Sequence, residues 1–531
     1  MVVDGLYYDK DTEVASSFDF SDETLRNALL NIYSKDFHPA SDIEVTLFNE
    51  VWATMDKAVK KAFGNVSPSD PDADFIEALR RNNAVFSAFK VHRAQNDMAR
   101  LLLDSNGNLK PFEQWLNEVM PIASHQCRTW LKTEYDTAVI RAHQAADWRQ
   151  FSREKDILPN LKWGPSTSIT PGEDHRIFWG VVRPIDDDFW NHHKPGDRWN
   201  CKCTLSSTDE PVTPVPAGTT LSSTDEPVTP VPAGTTPSST PQKGLENNPG
   251  KDAKLFSDSH PYKTEAHAGA KKAVDKLLKR LEEMMKEMPD HFTPDEKTAI
   301  ARDNLEIEKA LGITKGKPMT VEDADKQSAN PNYEPEYILD PKGAYKDKAG
   351  NRYSKNPKYK ASEHKRFSIN CQTCAPAYVL RLRGFKVTAK GKTPNTNMEY
   401  LSRQHSFEAW KNIDGTPCKP TLTADWMKSK GYKQMSAKRY EEYFNETCKE
   451  PGVYILTIGW RGGGGHATIL QKFKDGKLQY IEPQSYDDKQ GAKRSIDELC
   501  KSGATKPIAT RGILRVDNKL FNTKFIDIFD K

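Results

Sequence analysis

One stretch of this chain sets its organisation. Residues 204–219 read TLSSTDEPVTPVPAGT, and residues 220–235 repeat the same sixteen residues unchanged. Each copy is rich in Pro, Ser and Thr and has no aromatic residue, so it lacks the side chains a packed core requires. Each copy also carries three prolines, which favour extended, semi-rigid backbone. The stretch 204–254 therefore reads as a disordered Pro/Ser/Thr linker in which length matters more than side-chain detail. It divides an N-terminal body (1–203) from a helical spacer (255–312) and a C-terminal body (340–531).

At ~100–200 residues per domain, a chain of 531 residues holds several domains. Lys and Arg total 77 against 74 Asp and Glu, a balance that argues against a surface gripping nucleic acid throughout. No stretch approaches the ~20 apolar residues of a membrane span. The first residues, MVVDGLYYDKDTEVASSFDF, carry early acids and no apolar core, unlike a usual signal peptide. Eight cysteines make no disulfide scaffold. In a reducing cytoplasm they are packing residues, metal ligands or nucleophiles.

The N-terminal body is predicted to be mainly helical. Val45–Phe63, Asp74–Leu103 and Pro111–Arg153 space apolar residues for helices. After Trp148 the pattern breaks into a segment dense in Trp, Pro, His and Gly, ending in Cys201-Lys202-Cys203. That Cys-x-Cys pair, with His175 or with His192 or His193, would supply enough soft ligands for zinc. The sequence favours the plainer alternative, a metal-free packed turn, with no cofactor required. Further on, Thr293-Pro294-Asp295-Glu296 has the form of a helix N-cap with Pro at the first helical position.

The strongest chemical signal lies near the C-terminus. In FSINCQTCAPAYVLRLRG, Cys371, Ala375, Tyr378 and Leu382 fall on one helix face, with Asn370 as N-cap and Gly384 as terminator. Cys371 thus sits in the first turn, where the helix dipole favours a thiolate. Cys374, one turn on, reads as core. Residues 385–389 read as a short strand. Val453–Ile458, His466–Phe473 and Leu478–Glu482 read as three more, the last two joined by an Asp475-Gly476 turn. A two-residue turn pairs Lys474 with Lys477 and brings position 466 close to the register of 485. His466 then neighbours the segment 482–485, a base beside the group that orients it. Glu482 fits that third role, with Gln484 as the alternative.

Cysteine at a helix start, then a Gly-His-Ala strand, then an acid or amide after a hairpin: this order resembles papain-like cysteine enzymes. Asn370-Cys371-x-x-Cys374 and Glu482-Pro483-Gln484 resemble the papain-fold toxins more closely, over roughly 364–490. That resemblance implies an α+β papain-like C-terminal domain, a thiol-dependent hydrolase acting on a protein substrate as a protease or glutamine deamidase. Cys371 would be the nucleophile, His466 the base and acid, and Glu482 the orienting group. The family more usually has Asp at that last position. The alternatives are an inert, purely structural domain or a zinc-binding interaction module.

A second resemblance covers about 45–205. WLKTEYDTAVIRAHQAADW (Trp130–Trp148), His175, Gly180-Val181, Pro184, Asp187-Asp188, Trp190, Pro195 and Trp199–Cys203 resemble the phage Mu F-like head morphogenesis family. It implies a minor head protein of a phage or prophage, partnered by capsid and portal proteins and located in the virion or, during assembly, in the bacterial cytoplasm.

Overall fold

A computed structural model describes residues 22–169, 173–216, 241–325, 329–333, 365–485 and 492–531, with the short strand pieces 228–229, 338–339, 345–346 and 352–353. The chain divides into two compact units, Met1–Met284 and Met285–Lys531.

The first unit is mainly helical. Its long elements are α1 (Asp22–Tyr33), α2 (Val45–Phe63), α3 (Ala73–Ala99), α4 (Phe112–Ser124) and α5 (Leu131–Glu154). Glu44 caps α2, its Oε2 accepting the Leu47 N–H at 2.8 Å. Between α4 and α5 the expected single helix widens into a π-helical stretch, His125–Trp130, just after Pro121. A small antiparallel sheet follows, with β1 (Asn160–Ser166) between β2 (Val182–Pro184) and β3 (Cys203–Thr208). Trp163, Phe178, Phe189 and Trp190 form its core, all nearly inaccessible. At about 1.5–3 kcal/mol for each buried large side chain, they hold a segment with little regular structure.

The linker boundaries expected from composition are corrected at both ends. Residues 204–208 of the first repeat copy lie in β3, pairing with β1, and the Thr213 N–H donates to the Val182 carbonyl at 3.0 Å. Residues 241–256 pack into the first unit, where Arg141 of α5 gathers them. Its Nε donates to Leu255 O at 2.6 Å, Nη1 to Gly196 O at 2.7 Å and Leu245 O at 3.1 Å, and Nη2 to Asn247 O at 2.8 Å. Composition hid this because the partners are distant in sequence: Arg141 binds backbone carbonyls that any sequence offers, and Phe256 stacks on Phe86 of α3. Residues 217–227 and 230–240, where the rest of the expected disordered linker falls, lie outside the described residues.

The expected spacer is divided as well. Helix α6 (Ala270–Lys286) lies almost wholly in the first unit. Helix α7 (Pro294–Leu311) is core of the second, burying Ile307 and Leu311 beside Phe385 and Phe525. The N-cap read at its start is present and is a full capping box: Thr293 Oγ1 accepts the Glu296 N–H, and Glu296 accepts the Thr293 N–H. The C-terminal body thus begins upstream of residue 340.

In the second unit a six-stranded antiparallel sheet carries the site. Its order is β4 (Thr421–Leu422), β9 (Gly512–Arg515), β5 (Gly452–Gly459), β6 (Gly465–Lys472), β7 (Leu478–Ile481) and β8 (Lys493–Arg494). Helix α8 (Cys371–Leu382) packs on it, with Ala375, Tyr378 and Val379 in one core with Ile455, Ile469 and Ile481. The Tyr378 hydroxyl donates to Gln471 Oε1 at 2.9 Å. Only Thr388–Ala389 of the strand expected at 385–389 forms, paired with Phe529–Asp530. No helix among the described residues is long and apolar enough to cross a membrane.

Candidate active site

The β6–β7 turn determines what His466 meets. The register pairs Ile469 with Ile481 and Lys472 with Leu478, one residue away from the expectation. Phe473 pairs with Lys477, and the turn holds three residues, Lys474-Asp475-Gly476, with Gly476 at φ +84°. The difference is decisive because side chains alternate between faces. The expected pairing would set Glu482 opposite Ile469, on the face away from His466. The observed pairing, continued outward, sets it opposite Thr468, on the His466 face. His466 Nε2 then lies 2.6 Å from Glu482 Oε2.

Glu482 is held from three further sides. The Tyr480 hydroxyl donates to its Oε2 at 2.7 Å, the Gln484 N–H donates to Oε1 at 3.0 Å, and its own N–H donates to Ala492 O at 2.7 Å. Gln484, the alternative orienter, meets Glu482 through its backbone; its side chain points to Asn370, with Nε2 at 3.4 Å from Oδ1. The indole of Trp460 stacks on the imidazole, ring centroids 5.6 Å apart and 26° from parallel.

Helix α8 brings Cys371 to the start of β6. Its thiol lies close enough to His466 and to the Ala467 backbone N–H for both to favour its charged form. With Nε2 engaged by Glu482, the nitrogen left for sulfur is Nδ1. Cys371 is 9 % exposed, against 0 % for Cys374. Asn370 precedes the helix but does not cap it with its side chain. Its Nδ2 donates instead to Asn330 Oδ1 at 3.0 Å and Lys390 O at 3.2 Å, while Asn330 Nδ2 donates to Gln484 O at 2.9 Å. This amide cluster ties the start of α8 to the segment after β7, which aligns the sulfur and the imidazole.

The electrostatics follow from those contacts. Burial pushes the Cys371 thiol up, but the hydrogen bond and charge of His466 overcome it and hold the thiol below its ordinary value. Burial disfavours the imidazolium, and the Glu482 carboxylate with Cys371 more than offsets that, so His466 stands well above the ordinary histidine range. Burial likewise raises Glu482, and the charge of His466 reverses the sign. For Cys374 burial acts in the same direction as the nearby charges, and it is pushed far up.

Sequence reasoning missed Asn330, Tyr480 and Arg511. The Arg511 guanidinium is close enough to Cys371 to feel its charge, and its buried Nε has no hydrogen-bond partner among the described residues. A Cβ at Gly465 would come within 2.4 Å of Arg511 Nη2, so the glycine just before His466 leaves room for that guanidinium. That glycine was the available signal.

The first unit brings together a second set. The ligand atoms of His175, Cys201 and Cys203 lie within 4.8 Å of one another, the one such cluster able to hold a metal among the described residues. His192 and His193 are not part of it. His192 faces Asp188 at 3.3 Å, and His193 stacks on Phe178 with centroids 5.0 Å apart.

The geometry thus defines, in the second unit, a buried cysteine–histidine–carboxylate cluster at a helix–sheet junction. In the first unit, residues 106–206 match the family described as Phage Mu protein F like protein. The match spans α4 to β3, including His175, Cys201 and Cys203, and starts later than the 45 read from the sequence. It supports a head-morphogenesis module in the N-terminal half. No curated protein and no solved structure matches the chain.

Proposed function

We propose that the chain is a phage or prophage minor head protein whose second unit is a papain-like, thiol-dependent amide hydrolase. The family match over 106–206 supports the head role, with capsid and portal proteins as partners and the virion, or the bacterial cytoplasm during assembly, as location. The observation that carries the hydrolase reading is the buried cluster in which His466 is bonded to Glu482 and acts on the charge of the Cys371 thiol. His466 Nδ1 takes the thiol proton, and Glu482 stabilises the imidazolium that results. The Cys371 thiolate adds to an amide carbonyl carbon. The C–N bond then breaks as His466 returns its proton to the departing nitrogen, leaving a thioester on Cys371. Water, deprotonated by His466, hydrolyses the thioester and releases a carboxylic acid. The Cys371 N–H at the helix start and the Arg511 guanidinium are the nearby donors for the oxyanion. Glutamine deamidation and peptide cleavage share these steps and differ in the leaving group, ammonia or a peptide amine.

The test is mass spectrometry of bacterial proteins after expression of the full chain and of Cys371→Ala. Amide-to-acid mass increments at glutamine, or new peptide termini, found only with the intact cysteine are expected. Identical proteomes from the two would overturn the reading. The head role requires co-sedimentation with capsid and portal proteins; a chain found only free would contradict it.

A further inference from the structure

The Cys-x-Cys segment of the first unit is shaped by its own turns. Pro195-Gly196 turns the chain, with Gly196 at φ +83°, and Asn200 takes a left-handed φ of +58° that Asn tolerates. The backbone then extends, so Cys201 and Cys203 share one face while Lys202 stays exposed. The short helix Glu173–Arg176 delivers His175 to the same place. Its Nδ1 lies 3.1 Å from Cys201 Sγ and 3.7 Å from Cys203 Sγ. A tetrahedral zinc ion with bonds of about 2.3 Å to sulfur and 2.0 Å to nitrogen sets such edges at about 3.5 Å. The other ring nitrogen, Nε2, is 2.7 Å from Oδ1 of Asp197, which is 1 % exposed. A carboxylate there holds the proton on Nε2 and turns the Nδ1 lone pair toward the thiols, the usual support of a ligating histidine.

A packed turn explains the burial of these residues but not this convergence. Two thiols and an imidazole point their ligand atoms at one spot, and a buried carboxylate on the far side of the ring fixes which nitrogen faces them. We propose that His175, Cys201 and Cys203 bind one zinc ion, with water in the fourth position and Asp197 orienting the histidine. Binding releases both thiol protons to solvent and leaves the imidazole neutral. The edge of Trp163 rests on His175 with centroids 5.3 Å apart, so the ion joins the helix carrying His175, the Cys-x-Cys segment and the aromatic core. Its role is structural, and it is independent of the Cys371 site.

The full chain, purified without a polyhistidine tag or chelator, is analysed for metal by mass spectrometry and titrated with cobalt(II) after zinc removal. About one zinc per chain is expected in the wild type and in Cys371→Ala, with loss from Cys201→Ser and Cys203→Ser. Asp197→Asn weakens affinity by about 10–100-fold. Cobalt(II) in the wild type shows thiolate-to-metal charge transfer and tetrahedral ligand-field bands, a readout that does not depend on the variants folding. A wild-type chain that takes up no zinc and gives no thiolate–cobalt band overturns the proposal. Zinc retained in the Cys201→Ser/Cys203→Ser double variant overturns it as well.

Discussion

The charge on His466 depends on one carboxylate. Glu482 holds the imidazolium, and the imidazolium holds the Cys371 thiolate, so the pair coexists between the lowered value of Cys371 and the raised value of His466. Hydrolysis should therefore follow a bell-shaped pH profile, its acid limb set by Cys371 and its alkaline limb by His466. The stability linkage has the same signs. The His466 contribution is present below the ordinary histidine range and is lost as pH rises through its raised value. The Cys371 contribution is present above the ordinary thiol range and is lost as pH falls through its lowered value. Glu482→Gln removes the charge that raises His466, so the alkaline limb moves to lower pH and kcat falls by roughly 10²-fold; a pH–rate series checks both. At this scale the sequence was informative where chemistry is local. The first-turn cysteine and the strand histidine were both readable, and Glu482 was readable as the acid closing the hairpin. Asn330 was not, because an amide forty residues from Asn370 leaves no periodic mark.

At the scale of elements, turn length carried more weight than turn composition. Asp475-Gly476 signals a hairpin, but the dipeptide fits a two-residue turn as well as the last two positions of a three-residue one. Side-chain alternation turns that ambiguity into a choice of face for Glu482. The repeat taught the converse. Its composition excludes a core, yet TLSST at 204–208 supplies a strand because β1 offers an open edge. Since the two copies are identical, deleting either gives the same chain, and TLSST still follows Cys203. That deletion should leave the thermal midpoint of the first unit unchanged, as read by scanning calorimetry. A fall of several degrees would mean that the second copy also contributes to the fold. Arg141 ties α5 to residues 196–255 through its five donors, so Arg141→Met strands several buried carbonyls. It should destabilise the first unit by about 3 kcal/mol or more in urea unfolding.

The whole molecule joins a unit whose residues 106–206 match the Phage Mu protein F like family with a unit carrying a thiol cluster. The division into helical and sheet-bearing halves was legible from hydrophobic periodicity, which switches from helical spacing to continuous apolar strand runs such as Val453–Ile458. The boundaries were not, because residues 241–256 and α7 join their units through contacts with partners distant in sequence. Everything enzymatic rests on Cys371 being a thiolate at neutral pH while Cys374 and Cys500, both pushed up by burial, stay protonated. Timed alkylation of the full-length native protein with iodoacetamide, read by peptide mass spectrometry, measures this directly. The account predicts that Cys371 is modified well ahead of Cys374 and Cys500, and that His466→Ala abolishes the difference. Modification of Cys371 no faster than of Cys374 or Cys500 would contradict it.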